Sequence, residues 1–360
     1  MNDSVIEYRT KNTKHRIIKC WLLRHSTFLV RCSLFTLFSV PTFAQSGGNH
    51  TFDFLNLNVS TPTAALGGVQ VATASDSGAV NDVHAFLNNP ALNDEHLDRQ
   101  LSLTYQPYFA DVNVAAVSYS HFIDQVGQWG VNVMYLDYGE FSGFDPAGLP
   151  TGDFSASAYT VTINYAHQME PFRLGGNLKV ATASIAGLRA TGILLDMGGV
   201  YQHPNRDLTV ALTINNVGVV LNDYAPNEGS RLPTDARLGV AFKPQYMPFR
   251  FHLTAYRLWR DFAAFPSDES VGTVDKVARH LSFGGTLLLS QNFQVRVGYN
   301  HLTKSTLQLQ QTSGGAGLSF GVMFRTRAFR VDVSRAIYHV GGAFNQFSLS
   351  TDINQLFFNP

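Results

Sequence analysis

The residues that could do chemistry are few, and their spacing favours none of the common reactions. His84, His96 and His121 are scattered and lack the short, regular separations of zinc ligands. Asp76, Ser77 and Gly78, with Asn81 and Asp82 close behind, offer oxygen ligands for calcium. They lack the ordered spacing of a loop site. The same residue types serve turns and helix caps, which is the duty expected of them. Gly67-Gly68 is not followed by a nucleotide-binding fingerprint. No Gly-x-Ser-x-Gly nucleophile elbow is expected, and no spacing singles out a Ser, a His and an Asp as a triad. Both cysteines, Cys20 and Cys32, precede residue 45. The expectation is a protein that is not an enzyme and takes no cofactor and no metal.

Charges in alternating segments are more informative. Arg237, Arg250, His252, Arg296, Arg330 and Asp332 each fall on the polar face of a predicted strand. Phe293, Val295, Val297 and Tyr299 alternate with Gln294, Arg296, Gly298 and Asn300. Phe329, Val331 and Val333 alternate with Arg330, Asp332 and Ser334. A period of two is the signature of a strand with one apolar face, because successive side chains point to opposite sides. A Lys or Arg facing lipid at mid-membrane costs about 2–4 kcal/mol, so in a membrane barrel these six residues are expected to face the lumen. There they would line a path for ions or solutes, or form a polar network that fills the barrel and holds a plug. The second is favoured by the segment that precedes the strands.

The elements that would carry these residues are strands throughout. Only 14% of residues are charged, against about 25% in soluble domains. There are 27 Phe, 14 Tyr and 30 Gly. Formal net charge is zero, which gives no reason to expect a nucleic-acid partner. No apolar run after residue 45 reaches the roughly 20 residues of a spanning helix. A spanning strand needs about half that length and alternates, so hydropathy averages hide it. The alternation predicts fourteen strands, near 100–108, 110–122, 129–139, 154–168, 172–185, 190–202, 207–220, 235–244, 249–260, 279–290, 292–302, 314–325, 328–338 and 343–356. Every second connection is a tight polar turn, such as Asp124-Gln125, Glu170-Pro171 and Gln291-Asn292. Several of the others are long: 140–153, 221–234, 261–278 and 303–313. An up-and-down barrel with both termini in the periplasm shows this asymmetry. The expected fold class is all-β, a 14-stranded antiparallel transmembrane β-barrel in a bacterial outer membrane, with outer-membrane lipid around it.

The front of the chain reads as an address. Lys14, Arg16, Lys19 and Arg24 precede an apolar stretch over 28–40, and Pro41-Thr42-Phe43-Ala44 follows. That order predicts a secretory signal cleaved after Ala44. The expected organisation is a signal peptide over 1–44, an N-terminal plug or periplasmic segment over 45–99 and the barrel over 100–358. Two long connections are candidate partner-binding loops. One carries Phe141, Phe144 and Leu149, the other Phe262 and Phe265. Exposed aromatics beside Pro and acidic residues can make an interface, or they can pack the loops over the barrel mouth.

A family resemblance rests on an ordered set of short motifs. Phe54-Leu55-Asn56-Leu57, Ala64-Ala65-Leu66-Gly67-Gly68 and Asn89-Pro90-Ala91-Leu92 come first. Leu101-Ser102-Leu103-Thr104-Tyr105 and Tyr108-Phe109-Ala110-Asp111 follow, and then Gly130-Val131-Asn132-Val133-Met134-Tyr135 and Gly152-Asp153-Phe154-Ser155-Ala156. Together they resemble the PorQ family, outer-membrane proteins of the type IX secretion system. The resemblance covers most of the chain after the signal, in motif early and in pattern later. It implies a barrel of FadL type with a role in protein secretion and cell-surface attachment. It also implies action with a sortase and a shuttle barrel of the attachment complex, and the anchoring of a surface protein of PorZ type. The alternative is a FadL-like channel for hydrophobic small molecules. A sealed lumen full of Arg and Asp would favour the anchor; a lateral opening and an apolar lumen would favour transport.

Overall fold

A computed structural model describes residues 51–73, 82–108, 111–224, 232–259, 272–307, 315–339 and 342–357. The proposed signal, Asp76 to Asn81, Phe262 and Phe265 lie outside the described residues.

Fourteen antiparallel strands close into one barrel in sequence order, each beside its chain neighbours. They are β1 (Gln100–Pro107), β2 (Asn113–Ile123), β3 (Gly127–Phe144), β4 (Pro150–Met169), β5 (Phe172–Ile185), β6 (Leu188–Gln202) and β7 (Leu208–Asn222), continuing with β8 (Asp235–Phe242), β9 (Phe249–Ala255), β10 (Leu281–Leu288), β11 (Phe293–Asn300), β12 (Leu318–Arg325), β13 (Phe329–His339) and β14 (Gly342–Asp352). The seam is β1 on β14, in register from Gln100 opposite Asp352 to Tyr105 opposite Phe347. Within the closed wall no strand edge is left with unpaired backbone groups, which lipid could not satisfy.

The alternation is resolved as apolar outside and small or polar inside. On β11 the outward residues Phe293 and Val297 are exposed, while the alternate residues Gln294, Arg296 and Asn300 are buried. Leu103, Tyr105, Val131, Val133, Ile163, Leu178, Leu195, Leu212, Phe251, Phe283, Phe320, Val331 and Leu349 continue the exposed apolar surface around the wall. So large an apolar band has no place in water and is the surface that lipid covers. Exposed Trp129, Phe172, Phe249, Phe293, Phe324 and Phe329 gather near the tight-turn end, as in an interfacial aromatic girdle.

The wall is uneven. Strands β3 to β7 run for 18, 20, 14, 15 and 15 residues, whereas β8 to β12 run for 8, 7, 8, 8 and 8. One expectation is corrected here. The segment 140–153 is not a long loop: β3 and β4 continue as a paired hairpin, Phe141 opposite Phe154, past a register shift between Asp137 and Glu140. The reason is local. Asp145 Oδ1 accepts the backbone N–H of Ala147 and of Leu149, so a tight turn closes the ladder. At the low side the strands end earlier than expected, and two short helices stand at the rim: α2 (Thr273–Ala278) and α3 (His301–Leu307).

The described residues before β1, 51–73 and 82–99, fold inside the barrel. A short helix, α1 (Thr61–Ala65), and four 3-10 turns carry the chain across the lumen. Ser60 caps α1 through its side chain, and Asp82, Asn89 and Asp94 cap three of the turns. Near the long-loop end the inward residues are apolar and small. Val114, Leu136, Ala158, Ala183 and Ala190 form one row across β2 to β6, and Phe52 and Phe54 fill the space they leave. Below that row the wall becomes polar.

Glycine sets how closely plug and wall meet. A side chain at Gly298 would overlap the backbone of Leu66-Gly67, and one at Gly198 would overlap Asn89. Gly298→Val is therefore expected to destabilise the barrel by about 1–3 kcal/mol through overpacking. Gly285→Ala, whose new methyl meets nothing within 4 Å, should be silent. The temperature at which each folded barrel converts to the unfolded band in a detergent gel checks the pair.

Candidate functional site

The lumen is the place where the chain concentrates its charge. Asp332 on β13 accepts from Arg296 at 2.7 Å and from Arg330 at 2.6 Å, all three nearly inaccessible to solvent. Arg296 also donates to Gln294 at 3.0 Å. Arg237 pairs with Asp235 at 2.7 Å, and Arg250 with Asp207 at 2.7 Å. His252 Nε2 lies 3.2 Å from the Thr286 hydroxyl. The six charged residues singled out from the alternation thus all face inward and are buried. The wall brings Arg296, Arg330 and Asp332 together. Arg237, Arg250 and His252 have their own partners.

A second network, which sequence reasoning missed, ties the opposite wall to the plug. Lys179 Nζ lies 2.6 Å from Asp196 Oδ2, and Asn177 donates to the same oxygen at 2.8 Å. Asn177 also donates to the Phe86 carbonyl, 2.9 Å away. Asn164 accepts from Asn93 at 2.7 Å and donates to the Pro90 carbonyl at 3.1 Å. Arg173 reaches Asp94 at 3.2 Å. The signal was available, since Lys179 stands between Leu178 and Val180 and Asp196 between Leu195 and Met197. A single charge framed by apolar neighbours in a period-two run points inward.

The two sequence motifs of the plug are docking elements. Gly67 N–H donates to Ser319 Oγ at 3.0 Å, and Ser319 donates to the Ala65 carbonyl at 3.0 Å. Asn300 holds the Gly67 carbonyl at 3.0 Å. Leu66 and Ala65 are buried against the wall, while Gly68 is partly accessible. Asn89 donates to the Val71 carbonyl at 3.0 Å and accepts from Ala91 N–H at 3.0 Å. Pro90, Ala91 and Leu92 are buried on β4 to β6. Ser319 also corrects an expectation. A Gly-x-Ser-x-Gly pattern does occur, over 317–321. It lies at the start of β12 rather than at a strand-to-helix turn, and its serine binds plug backbone.

Among the described residues no group of His, Cys, Asp and Glu could hold a metal ion. His84 bonds Ser118 at 2.7 Å and His121 bonds Asp98 at 2.8 Å, and His96 sits apart in a turn. Two cavities inside the barrel measure about 60 and 160 Å³, below the roughly 300–1,000 Å³ of small-molecule sites. The smaller is lined by Asn132, Lys179, Asn216 and Arg237. The larger lies at the tight-turn end, beside Asp94 and Arg173.

Of the loop candidates, Phe141 stacks on Phe154 at 5.5 Å on the extended hairpin. Phe144 and Leu149 flank its tip and are each 63% exposed.

No protein-family model matches the sequence, and no curated protein does. Solved structures match the fold. A TodX monoaromatic hydrocarbon channel mutant (deltaS2) is 12% identical, with a TM-score of 0.52, over 82% of this chain and 97% of that one. A second TodX mutant (deltaS2S3) is 12% identical, with a TM-score of 0.49, over 82% and 99%. A FadL homologue of Pseudomonas aeruginosa is 11% identical, with a TM-score of 0.43, over 82% and 98%.

Removing the shared carboxylate tests the lumen network. Asp332→Asn removes the carboxylate that two buried guanidinium groups share, which is expected to cost about 3–5 kcal/mol. Asp332→Asn with Arg296→Met should recover part of that loss. Urea unfolding of the barrel reconstituted in lipid reads both. The chain folds as a closed 14-stranded antiparallel barrel, a fold it shares with the TodX channel mutant, with the described part of its N-terminal segment packed against the inner wall.

Proposed function

We propose that this protein is a plugged outer-membrane barrel whose work is to anchor a surface partner, in the manner that its resemblance to the PorQ family implies. The observation that carries this reading is the lumen. Plug backbone is bonded to wall side chains on both sides of the barrel, at Ser319 and Asn300 and at Asn164 and Asn177. Buried ion pairs occupy the space between. A lumen of this kind stabilises a rigid platform. The protruding β3–β4 hairpin supports the reading too, because it presents Phe144 and Leu149 to solvent beyond the wall.

The second reading is a channel for hydrophobic small molecules; TodX, which shares the fold, is a monoaromatic hydrocarbon channel. It is favoured by the apolar row of Val114, Leu136, Ala158, Ala183 and Ala190. Phe52 and Phe54 already occupy that row, so transport would need them to leave.

Affinity purification of the tagged full-length protein from outer membranes in mild detergent separates the two. Recovery of a surface protein or a sortase in stable ratio is the expected result, and Phe144→Ser with Leu149→Ser should reduce it several-fold. Recovery of the barrel alone with a hydrophobic ligand would sink the anchor and promote the channel. In a planar bilayer the anchor should show almost no single-channel conductance.

A further inference from the structure

The low side of the wall carries a feature that anchoring does not use. On its lipid-facing surface, β8 to β11 enclose an apolar groove of about 560 Å³, lined by Phe242, Phe251, Leu253, Phe283, Val297 and Tyr299. The groove exists because Gly285 faces outward between Phe251 and Val297, its cross-strand neighbours, and a side chain there would meet open space. Behind it, Gly284 and Gly298 are held against Leu66 of the plug. The floor therefore cannot collapse inward.

The groove ends in a polar rim. Tyr299 gives its ring to the groove and its hydroxyl to His301 Nδ1, 2.9 Å away. His301 Nε2 meets Asp275 at 2.6 Å, and Asp275 meets Arg279 at 2.8 Å. An unbroken chain of contacts thus joins the groove to helices α2 and α3. Those helices and their flanks, 272–280 and 301–307, carry Lys276, Arg279 and Lys304 with His280 and His301, and Asp275 is their one carboxylate among the described residues. Apolar slot below, and among the described rim residues three cations to one carboxylate above, is the pattern of a site for an amphiphile with an anionic head. The rim lies at the long-loop end, which faces outside in barrels of this build, so the groove opens to the outer leaflet. The short strands β8 to β11 set the rim low, next to the slot.

We infer that this groove and its rim hold an anionic lipid of the outer leaflet, with an acyl chain along Gly285 and phosphate groups of the head against Lys276, Arg279 and Lys304. A membrane-facing cation of this kind strengthens binding of an anionic head by electrostatics, and the apolar slot strengthens it by burial. The inference is independent of whether the barrel anchors a partner or carries a ligand.

The test uses the full-length protein, delipidated in detergent, and two probes: diphosphorylated lipid A and zwitterionic phosphatidylethanolamine. Native mass spectrometry counts bound lipid. The wild type should retain lipid A roughly tenfold better than phosphatidylethanolamine. Gly285→Leu fills the slot from outside and should lower lipid A retention by about tenfold. Lys276→Gln with Arg279→Gln changes only rim residues and should abolish the preference between lipids. Equal retention of the two lipids by the wild type would overturn the inference. So would wild-type retention of lipid A by both variants, each shown to be folded by its gel mobility.

A local pH effect accompanies the rim. The His301 hydrogen bond, with Arg279 beside it, holds the Asp275 carboxyl below its ordinary range. Its stabilising contribution is present above the ordinary carboxylate pKa and is lost as pH falls through the lowered value. The protection of amides in 273–279, measured relative to the intrinsic exchange rate at each pH, should therefore fall below about pH 4.

Discussion

The fold depends on one constraint: backbone hydrogen bonds in lipid must be satisfied within the chain. Fourteen strands meet it only if β1 finds β14, and the six-residue register from Gln100 to Tyr105 achieves this. Once the wall is closed, each side chain has two destinations, lipid or lumen. The period of two then sorts the whole sequence. Val295 and Val297 go to lipid, and Arg296 between them has nowhere to go but inward. The same sorting that makes the outside apolar loads the lumen with polar groups, and those groups need partners.

The plug supplies many of those partners. Buried polar side chains cost free energy when unpaired, and Asn164, Asn177, Asn300 and Ser319 all spend hydrogen bonds on plug backbone. The plug in turn has short 3-10 turns whose own backbone groups would be unsatisfied in an empty lumen. Wall and plug are therefore mutually dependent. The close approach of Gly298 to Gly67 and of Gly198 to Asn89 shows how little space separates them. The apolar cluster around Phe52 and Phe54 packs the upper lumen, and buried ion pairs line the wall below it.

The uneven height of the wall connects structure to surface properties. The tall β3–β4 side projects a hairpin beyond the lipid, with Phe144 and Leu149 exposed at its tip. The low β8–β11 side ends in α2 and α3, which Tyr299, His301 and Asp275 join to the apolar groove on the outer face. Neither surface competes with the lumen, which is occupied by the chain itself.

Strand number, strand order and the inward direction of Arg237, Arg250, His252, Arg296, Arg330 and Asp332 were legible in the sequence, because each is a local consequence of alternation. Strand ends were less legible. The pattern continues past Asp137 only through a register shift, and the ladder from Glu140 to Phe144 depends on its partner strand rather than on its own composition. Which charges pair was not legible at all. Arg330 and Asp332 are two residues apart, but Arg296 joins them from β11 across β12. Lys179 and Asp196 meet only because β5 and β6 are neighbours in a particular register. The roles of Ser319, Gly298 and Gly285 were equally hidden, since a small residue in a strand says nothing about what lies opposite. By itself the sequence determined the period, and the period determines which face each side chain takes. Only the tertiary structure decided which residues share that face, because register and barrel closure bring together positions that no local spacing relates.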